Sequence, residues 1–468
     1  MQTKKPMHAY SPVTPDIARE IEAAVAPARV IRGRERLAEL GRDSGEIDHP
    51  PELAVEATST EQVQALLRLA CKYRFPVTPR GSGTGLAGGS VPVSGGVVLS
   101  LAGMNRILSI QEDNLIAVVE PGVINLDLKN RTREKGLFYP PDPVSLDTSS
   151  VGGNAATNAG GPSCIKYGTT KDYILGLEAV LASGEIIEAG VQTRKGVVGY
   201  DLVHLLAGSE GTLGVITKLI LNLIPHPKSI NTMVALFPRI TSAMEAIQAT
   251  LAGGHVPCAM EFMDRRCLDL VGDLLPFEGL DQADTFLLVE IDGHPESLVR
   301  QMEEIGEILM DSGALNVLMA PDSQKRARMW DIRREVSIRI ENDSPIWIPE
   351  DIVVPIGKIA DLVACLPGFE RQYGIKIYSF GHAGDGNIHL NITARDTSRR
   401  KKVESGIREI IKQVLLMGGT MSGEHGIGIV KRDLISLELS SESIRIQKGI
   451  KKLFDPLMIL NPGKIFET

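Results

Sequence analysis

Between Phe75 and Pro225 the chain alternates short β-branched runs with loops almost free of bulky side chains, and that alternation constrains the fold more than any other feature. The runs PVT, GGVVLSL, LIAVVE, LGLEAVLA, EIIEAG and LGVITKLILNLI read as strands. A helix over Gln62 to Tyr73 precedes them, with Thr58-Ser59-Thr60-Glu61 as its capping segment and Val63, Leu66, Leu67 and Ala70 on one face. The mixture predicts an α+β region.

From about Ser229 to Leu416 the pattern changes, and the apolar strands TMVALF, AMEFM, TFLLVEID and LNVLMA are interspersed with long amphipathic helices. One is PESLVRQMEEIGEILMDSG, where Leu298, Met302, Ile305 and Leu309 share a face and Gly313 is the stop signal. At 468 residues the chain exceeds the length, roughly 250 to 300 residues, at which a single core stops growing. Three spans are expected: 1–228 as the main domain, 229–416 as a second α+β domain with an antiparallel sheet, and 417–468, glycine-rich again, returning to the first.

An apolar content of 43% and a charged content of 23% suit a soluble globular protein and exclude wholesale disorder. A net charge of -8 and only 4% aromatic residues offer neither a basic field nor stacking platforms, which argues against nucleic acid as a partner. Cys71, Cys164, Cys258, Cys267 and Cys365 are scattered without a C-x-x-C pair, so neither a disulfide framework nor an iron-sulfur or zinc-thiolate site is indicated. No apolar run approaches the ~20 residues of a membrane span. A cytoplasmic protein is expected, with any place at the inner membrane owed to partners.

The segment PRGSGTGLAGG contains Gly83-Thr84-Gly85-Leu86-Ala87-Gly88, a formal G-x-G-x-x-G. That fingerprint requires a helix opening at the glycines, whereas here a strand follows. Pro79, Arg80, Gly81, Ser82, Gly83, Thr84 and Gly85 therefore read as a loop between strands whose backbone N–H groups can turn inward as an anion nest. Thr148 to Gly161 reads as a second such loop, with Ser149, Gly152, Gly153, Asn158 and Gly160 in it, and Gly208 to Gly214 as a third. The first two are suited to clasp a diphosphate from either side.

Together, PVTPRGSGTGLAGG, GGNAATNAGG, AGSEGTLGVIT and FDPLMILNPGKIF resemble the flavoproteins of vanillyl-alcohol oxidase type. More narrowly, the chain is similar, from about Pro50 to Phe466, to the branch of glycolate oxidase flavin subunits, D-lactate dehydrogenases and D-2-hydroxyglutarate dehydrogenases. The resemblance implies a flavin domain of two α+β subdomains, FAD extended with its diphosphate under the first two loops, and a cap domain over the isoalloxazine. It also implies that Tyr139-Pro140-Pro141-Asp142 lies near the cofactor and that Ile216 and Asn461 line it. Neither of the first two loops contains histidine and Cys164 lies just beyond the second, so non-covalent FAD is expected.

The sequence FGHAGDGNIHLNI carries a separate argument. Asp385-Gly386 between β-compatible runs signals a two-residue hairpin turn, which would set His382 directly opposite His389, their Cβ atoms roughly 4.5 to 5.5 Å apart. Two imidazoles so placed can converge on one ion. GGTMSGEHGIG supplies a third ligand, Glu424, beside His425. Neighbours in an extended loop point different ways, so Glu424 can reach the metal while His425 turns toward substrate as the base, a division that the resemblance also implies. This donor set does not separate zinc, iron and manganese.

An acid substrate needs a cation. In KRARMWDIRREVSIRI, Arg333 and Ser337 share a helix face, which the resemblance places over the flavin with Asn387 nearby; Arg326, Arg328 and Arg339 read as a solvated face. In PEDIVVP, Pro349 stands where the 2-hydroxyglutarate branch has a lysine for the distal carboxylate. The expected reaction is thus oxidation of a small D-2-hydroxy acid, D-lactate or glycolate before 2-hydroxyglutarate, by hydride transfer to flavin N5. The expected electron acceptor is a quinone or a partner protein, including an iron-sulfur or electron-transfer flavoprotein subunit, and a homodimer is expected. A flavin-binding accessory subunit of a larger complex is the alternative, though one lacking metal-binding residues would not show this pattern.

Overall fold

The computed structural model describes residues 10–275 and 280–467. They form two compact units: the described residues up to Gly160, with Thr169–His226 and Glu424 onward, make the first, and Gly161–Gly168 with the described residues of Pro227–Gly423 make the second.

The first unit is built on two sheets. In one, β1 (Arg29–Ile31), β2 (Leu53–Glu56), β4 (Val97–Ser100) and β3 (Val77–Arg80) stand in that order, with β2 and β3 parallel to β4. The helix Thr60–Tyr73 carries the chain from β2 to β3 and buries Val63, Leu66, Leu67 and Ala70 with Val55, Val77, Val97 and Leu99. Full burial of a Val or Leu side chain contributes about 1.5 to 3 kcal/mol, so this face alone fixes the crossover. It delivers the loop after β3 to the carboxyl end of a parallel strand, where open sheets place their ligands.

The other sheet is antiparallel and runs β5 (Ile107–Gln111), β6 (Ile116–Val119), β10 (Val215–Asn222), β8 (Ile174–Val180), β9 (Ile186–Gly190). A short pair joins β7 (Leu137–Phe138) to β11 (Ile224–Pro225). The carboxyl-terminal segment returns to β3: the Val77 N–H donates to Ile459 O and the Asn461 N–H to Val77 O, both at 2.8 Å.

The second unit holds one antiparallel sheet of seven strands, ordered β15 (Asn316–Met319), β12 (Ser229–Phe237), β14 (Thr285–Gly293), β13 (Ala259–Asp264), β17 (Lys376–His382), β18 (Asn387–Ala394), β16 (Ile346–Val353). The helix Pro295–Asp311 buries Leu298, Met302, Ile305 and Leu309. The helix Ser323–Glu341 packs Ile332, Val336 and Ile340 into a core with Phe286, Leu288, Tyr378 and Phe380. No helix among the described residues is long and apolar enough to cross a membrane.

Three local expectations are corrected. The stretch Thr148 to Gly161 is not a plain loop, for Val151–Thr157 is a helix capped by the Ser150 hydroxyl, which accepts from the Gly153 N–H at 3.2 Å. Its glycines serve close packing, since a Cβ on Gly152 would stand 2.3 Å from Pro121 Cβ. The hairpin connection has four residues, Ala383 to Gly386, so that His382 pairs with Asn387 and His389 with Phe380. Here Asp385 accepts from the Asn387 N–H at 3.1 Å and Gly386 takes a positive φ of 88°, which are four-residue-turn roles for the Asp-Gly pair. Finally, Arg326 is not merely solvated: its Nε and Nη2 donate to both oxygens of Glu290 at 2.7 and 2.8 Å.

Candidate functional site

In the first unit the Pro79 to Gly85 segment runs out of β3 without forming a helix. Gly81 abuts the capped helix so closely that a Cβ would lie 2.3 Å from Ser150 Oγ. Gly83, at φ +77°, leaves its Cβ position to the Arg80 guanidinium, which donates to Arg42 O at 2.7 Å and Ser90 Oγ at 3.2 Å. Burial lowers the Arg80 pKa, against the pull of Asp43. A cavity of about 330 Å³ opens here, where Arg36, Arg42 and Arg80 share the lining with the acids Glu39 and Asp43 and with the small residues Gly81 and Ser82.

The irregular backbone that leads through Pro141 to Asp142 is tied down by one lysine. The buried Lys129 ammonium donates to the carbonyls of Tyr139, Pro140 and Pro141 at 2.8, 2.9 and 2.9 Å, and burial pulls its pKa down to about 8. Ile216 is buried in β10. Asn461 donates to Gly89 O at 2.9 Å and Glu210 O at 2.7 Å. Several buried polar atoms have no hydrogen-bond partner among the described residues: Ser149 Oγ, Asn154 Nδ2, Asn461 Oδ1, the Tyr139 hydroxyl and both amide atoms of Asn125. Leaving such a group unsatisfied costs about 1 to 3 kcal/mol, so this unit fits a ligand rich in donors and acceptors, as FAD is.

The loop of Glu424 and His425 is fixed by a residue that sequence reasoning passed over. Glu210, from the Gly208 to Gly214 segment, accepts from the N–H groups of Ile427 and Gly428, both at 2.8 Å. Burial raises its pKa, although these two donors oppose the shift. A Cβ on Gly426 would stand 2.9 Å from its Oε1, so the turn after His425 closes tightly on this carboxyl.

In the second unit the hairpin brings its histidines together by a route other than the expected one. His382 and His389 are diagonal neighbours rather than direct partners, and because side chains alternate with period two, the two-residue change of register keeps both on one face. Both are buried, and their Nε2 atoms stand 3.3 Å apart. Two nitrogens each about 2.0 to 2.1 Å from one ion at a tetrahedral angle lie roughly 3.3 to 3.4 Å apart, so the pair fits a shared metal.

Behind each imidazole lies a buried acid. Glu261 on β13 is the direct cross-strand partner of His382 and hydrogen-bonds its Nδ1. Asp351 on β16 is the partner of His389, with 3.9 Å between its Oδ1 and His389 Nδ1. Burial alone drives the Glu261 carboxyl up, but His382 and Arg333 outweigh it and hold the pKa at about 2. Asp351 also accepts from Asn387 Nδ2 at 2.6 Å and from the Gly423 N–H at 2.8 Å. Glu424 and His425 follow Gly423 directly in the chain, as the opening residues of the first unit's last segment.

Arg333 is buried, with its Nε 2.9 Å from Glu261 Oε2 and its guanidinium 4.3 Å over the Phe380 ring. Ser337, one turn on, is half-buried. Sequence reasoning missed Glu261 and Asp351, yet a signal was present: each is an acid inside an apolar strand, AMEFM and PEDIVVP. Buried carboxylates need a partner, so such acids point to one.

Residues 226–465 match the family described as FAD linked oxidases, C-terminal domain, and residues 51–190 match the FAD binding domain. The chain is 40% identical over 418 residues to the glycolate oxidase subunit GlcD of Bacillus subtilis, with 89% of each chain covered. It is 37% identical over 471 residues to a D-lactate dehydrogenase of Anaerostipes hadrus, with 97% of this chain and 98% of that one covered. Among solved structures, p-cresol methylhydroxylase superposes with a TM-score of 0.78 at 17% identity over 96% of each chain, a likeness that shows the fold, of vanillyl-alcohol oxidase type. With both family models matched in order and relatives aligned nearly end to end, the chain belongs to the FAD-linked oxidases, as an FAD-dependent oxidoreductase of the branch that holds the glycolate oxidase subunits and D-lactate dehydrogenases.

Proposed function

We propose that this chain oxidises a small D-2-hydroxy acid, D-lactate or glycolate by preference, to the 2-oxo acid. The observation that carries the reading is the pair of buried imidazoles with Nε2 atoms 3.3 Å apart and an acid behind each, in a chain whose family binds FAD. The names of the relatives, a glycolate oxidase subunit and a D-lactate dehydrogenase, support the substrate class.

Bound FAD, held non-covalently by the Pro79 to Gly85 loop, by Ser149, Gly152, Gly153, Asn158 and Gly160, and by Pro141, Asp142, Ile216 and Asn461, supplies the acceptor for the C2 hydrogen and its electron pair. A divalent cation at His382, His389 and Glu424, with zinc, iron and manganese all suited to the donors, supplies a Lewis acid that eases loss of the hydroxyl proton. Glu261 takes the Nδ1–H of His382 and so presents its Nε2 as a lone pair. Arg333 offers the Nη1 donors outside its contact with Glu261 to the substrate carboxylate, with Ser337 beside it. Asn387, its Nδ2 held by Asp351 and Ile352 O, offers its carbonyl oxygen to a substrate hydroxyl. His425 takes the proton as the general base.

Pro349 supports a monocarboxylate, since it puts no cation on edge strand β16, where it pairs with Asn391. Because the Bacillus relative is by name a subunit, a partner protein is our reading for flavin reoxidation, with a quinone as the small-molecule counterpart. The test is anaerobic bleaching of the flavin by paired D- and L-2-hydroxy acids, before and after chelation. D-Lactate or glycolate should bleach it, and chelation should slow the step. Bleaching by L-acids alone, or full activity without metal, would sink the reading, and a His425→Ala protein with both cofactors and full turnover would remove the base.

A further inference from the structure

The segment Gly161–Gly168 interrupts the first unit in sequence yet belongs to the second. Its short helix Cys164–Tyr167 packs on β13, the strand of Glu261. Lys166 donates to the backbone carbonyl of Asp292 at 3.0 Å and pairs with its carboxylate, while the Tyr167 hydroxyl donates to Asp292 Oδ2 at 2.6 Å. Asp292 is buried near the end of β14, so both contacts are made to a rigid strand. Between these anchors and the helix start, Ile165 projects onto the hairpin turn. A Cβ on Gly384 would stand 2.2 Å from Ile165 Cδ1. Gly384 lies two residues after His382 and its N–H points to Met260 O on β13 at 3.4 Å.

We propose that Gly161–Gly168 is a positioning latch for the histidine hairpin: Asp292 fixes Lys166 and Tyr167, and Ile165 seats the turn that aims His382 and His389 at their metal. The proposal rests on the metal reading above. Ile165 fills the space above Gly384, so the turn cannot rise without dislodging a side chain pinned on its far side by two polar anchors. A metal pair needs its nitrogens held within a few tenths of an ångström; the ladders to β13 and β16 run up to His382 and Asn387, and the four-residue turn beyond them is where Ile165 adds its contact.

Gly384 has no positive φ, so alanine there is tolerated by the backbone, and the three atoms nearest its Cβ would all belong to Ile165. That makes a rescue experiment decisive. In the FAD-loaded full chain, zinc affinity is measured by chelator competition, with hydrogen exchange of residues 382–389 as a second readout. Gly384→Ala should lower zinc affinity on the order of tenfold, as loss of an orienting contact does, and Ile165→Ala added to it should restore most of the loss. Asp292→Asn alone should weaken zinc several-fold and speed exchange in the turn. Failure of Ile165→Ala to rescue, or unchanged affinity and exchange in Asp292→Asn, would overturn the latch. His389→Ala is the control: if it kept its zinc, the metal reading would fall and the latch with it, whereas zinc loss in His389→Ala without any effect of the latch variants would refute the latch alone.

Discussion

The two ligand-bearing regions are built from different materials. The flavin region of the first unit is largely backbone: glycines at 81 and 152 let chain lie against chain, Gly83 leaves room for the Arg80 guanidinium, and Ser150 caps the helix that meets the first loop. The histidine region of the second unit is made of side chains aligned across strands β13, β17, β18 and β16, where Glu261, His382, His389 and Asp351 occupy neighbouring positions. A backbone site tolerates change of any residue whose side chain points away but not the addition of a Cβ. A side-chain site is the reverse. The two should therefore fail separately and to different substitutions.

The largest expected effect is at the histidines. His389→Ala should leave FAD content unchanged while metal content falls to background and turnover drops roughly a thousandfold, about 4 kcal/mol. Metal analysis and flavin absorbance on the same sample check both halves. Parallel loss of FAD would show that the two regions are not independent. The reciprocal change is Gly81→Val, whose branched side chain has Ser150 Oγ in its way at 2.3 Å. Overpacking of about 2 to 3 kcal/mol should weaken FAD roughly a hundredfold and leave the metal in place. Fluorescence titration of the apoprotein with FAD measures it.

This contrast also explains what was legible in the sequence. Glycine reports on the backbone at its own position, so the first loop, its lack of a helix and the strands around it could be read directly. The second loop misled because Gly152 reported tight packing against Pro121, while the Ser150 cap that starts a helix there is a common residue in many settings. Asp385-Gly386 located the hairpin turn but not its length, and the facing of His382 and His389 survived only because a two-residue slip preserves strand faces. Glu261, Asp351 and Glu210 lie 121, 38 and 214 or more residues from the groups they support, counted as 382 − 261, 389 − 351 and 424 − 210. Their partners are set by sheet order and chain return, which no local pattern encodes.

A smaller effect is expected one layer behind the histidines. Glu261→Gln keeps the shape but removes the charge that takes the His382 Nδ1–H and faces Arg333. Metal affinity should fall by at least about tenfold, and Arg333, left buried without its counter-ion, should make the second unit less stable. A Glu261→Gln protein with wild-type metal affinity would show that the histidines are oriented by the sheet alone. No change at this position should touch FAD binding.

The smallest effect tests whether the orphaned polar atoms of the flavin region serve the cofactor. The Tyr139 hydroxyl is fully buried without a hydrogen-bond partner among the described residues, while the ring stacks edge-on against Tyr173 at 6.2 Å. Tyr139→Phe retains the ring and deletes the unsatisfied group, so the apoprotein should gain up to about 1 kcal/mol of stability. If the hydroxyl serves FAD, the same variant should bind the cofactor several-fold more weakly, because a hydrogen bond of about 1 kcal/mol is lost from the complex. Thermal melts with and without FAD separate the two: a higher apo midpoint with a smaller FAD-induced rise is the expected pair. A higher midpoint in both states, with the FAD-induced rise intact, would assign the hydroxyl no part in cofactor binding and leave the flavin region more purely a backbone site than the orphaned atoms imply.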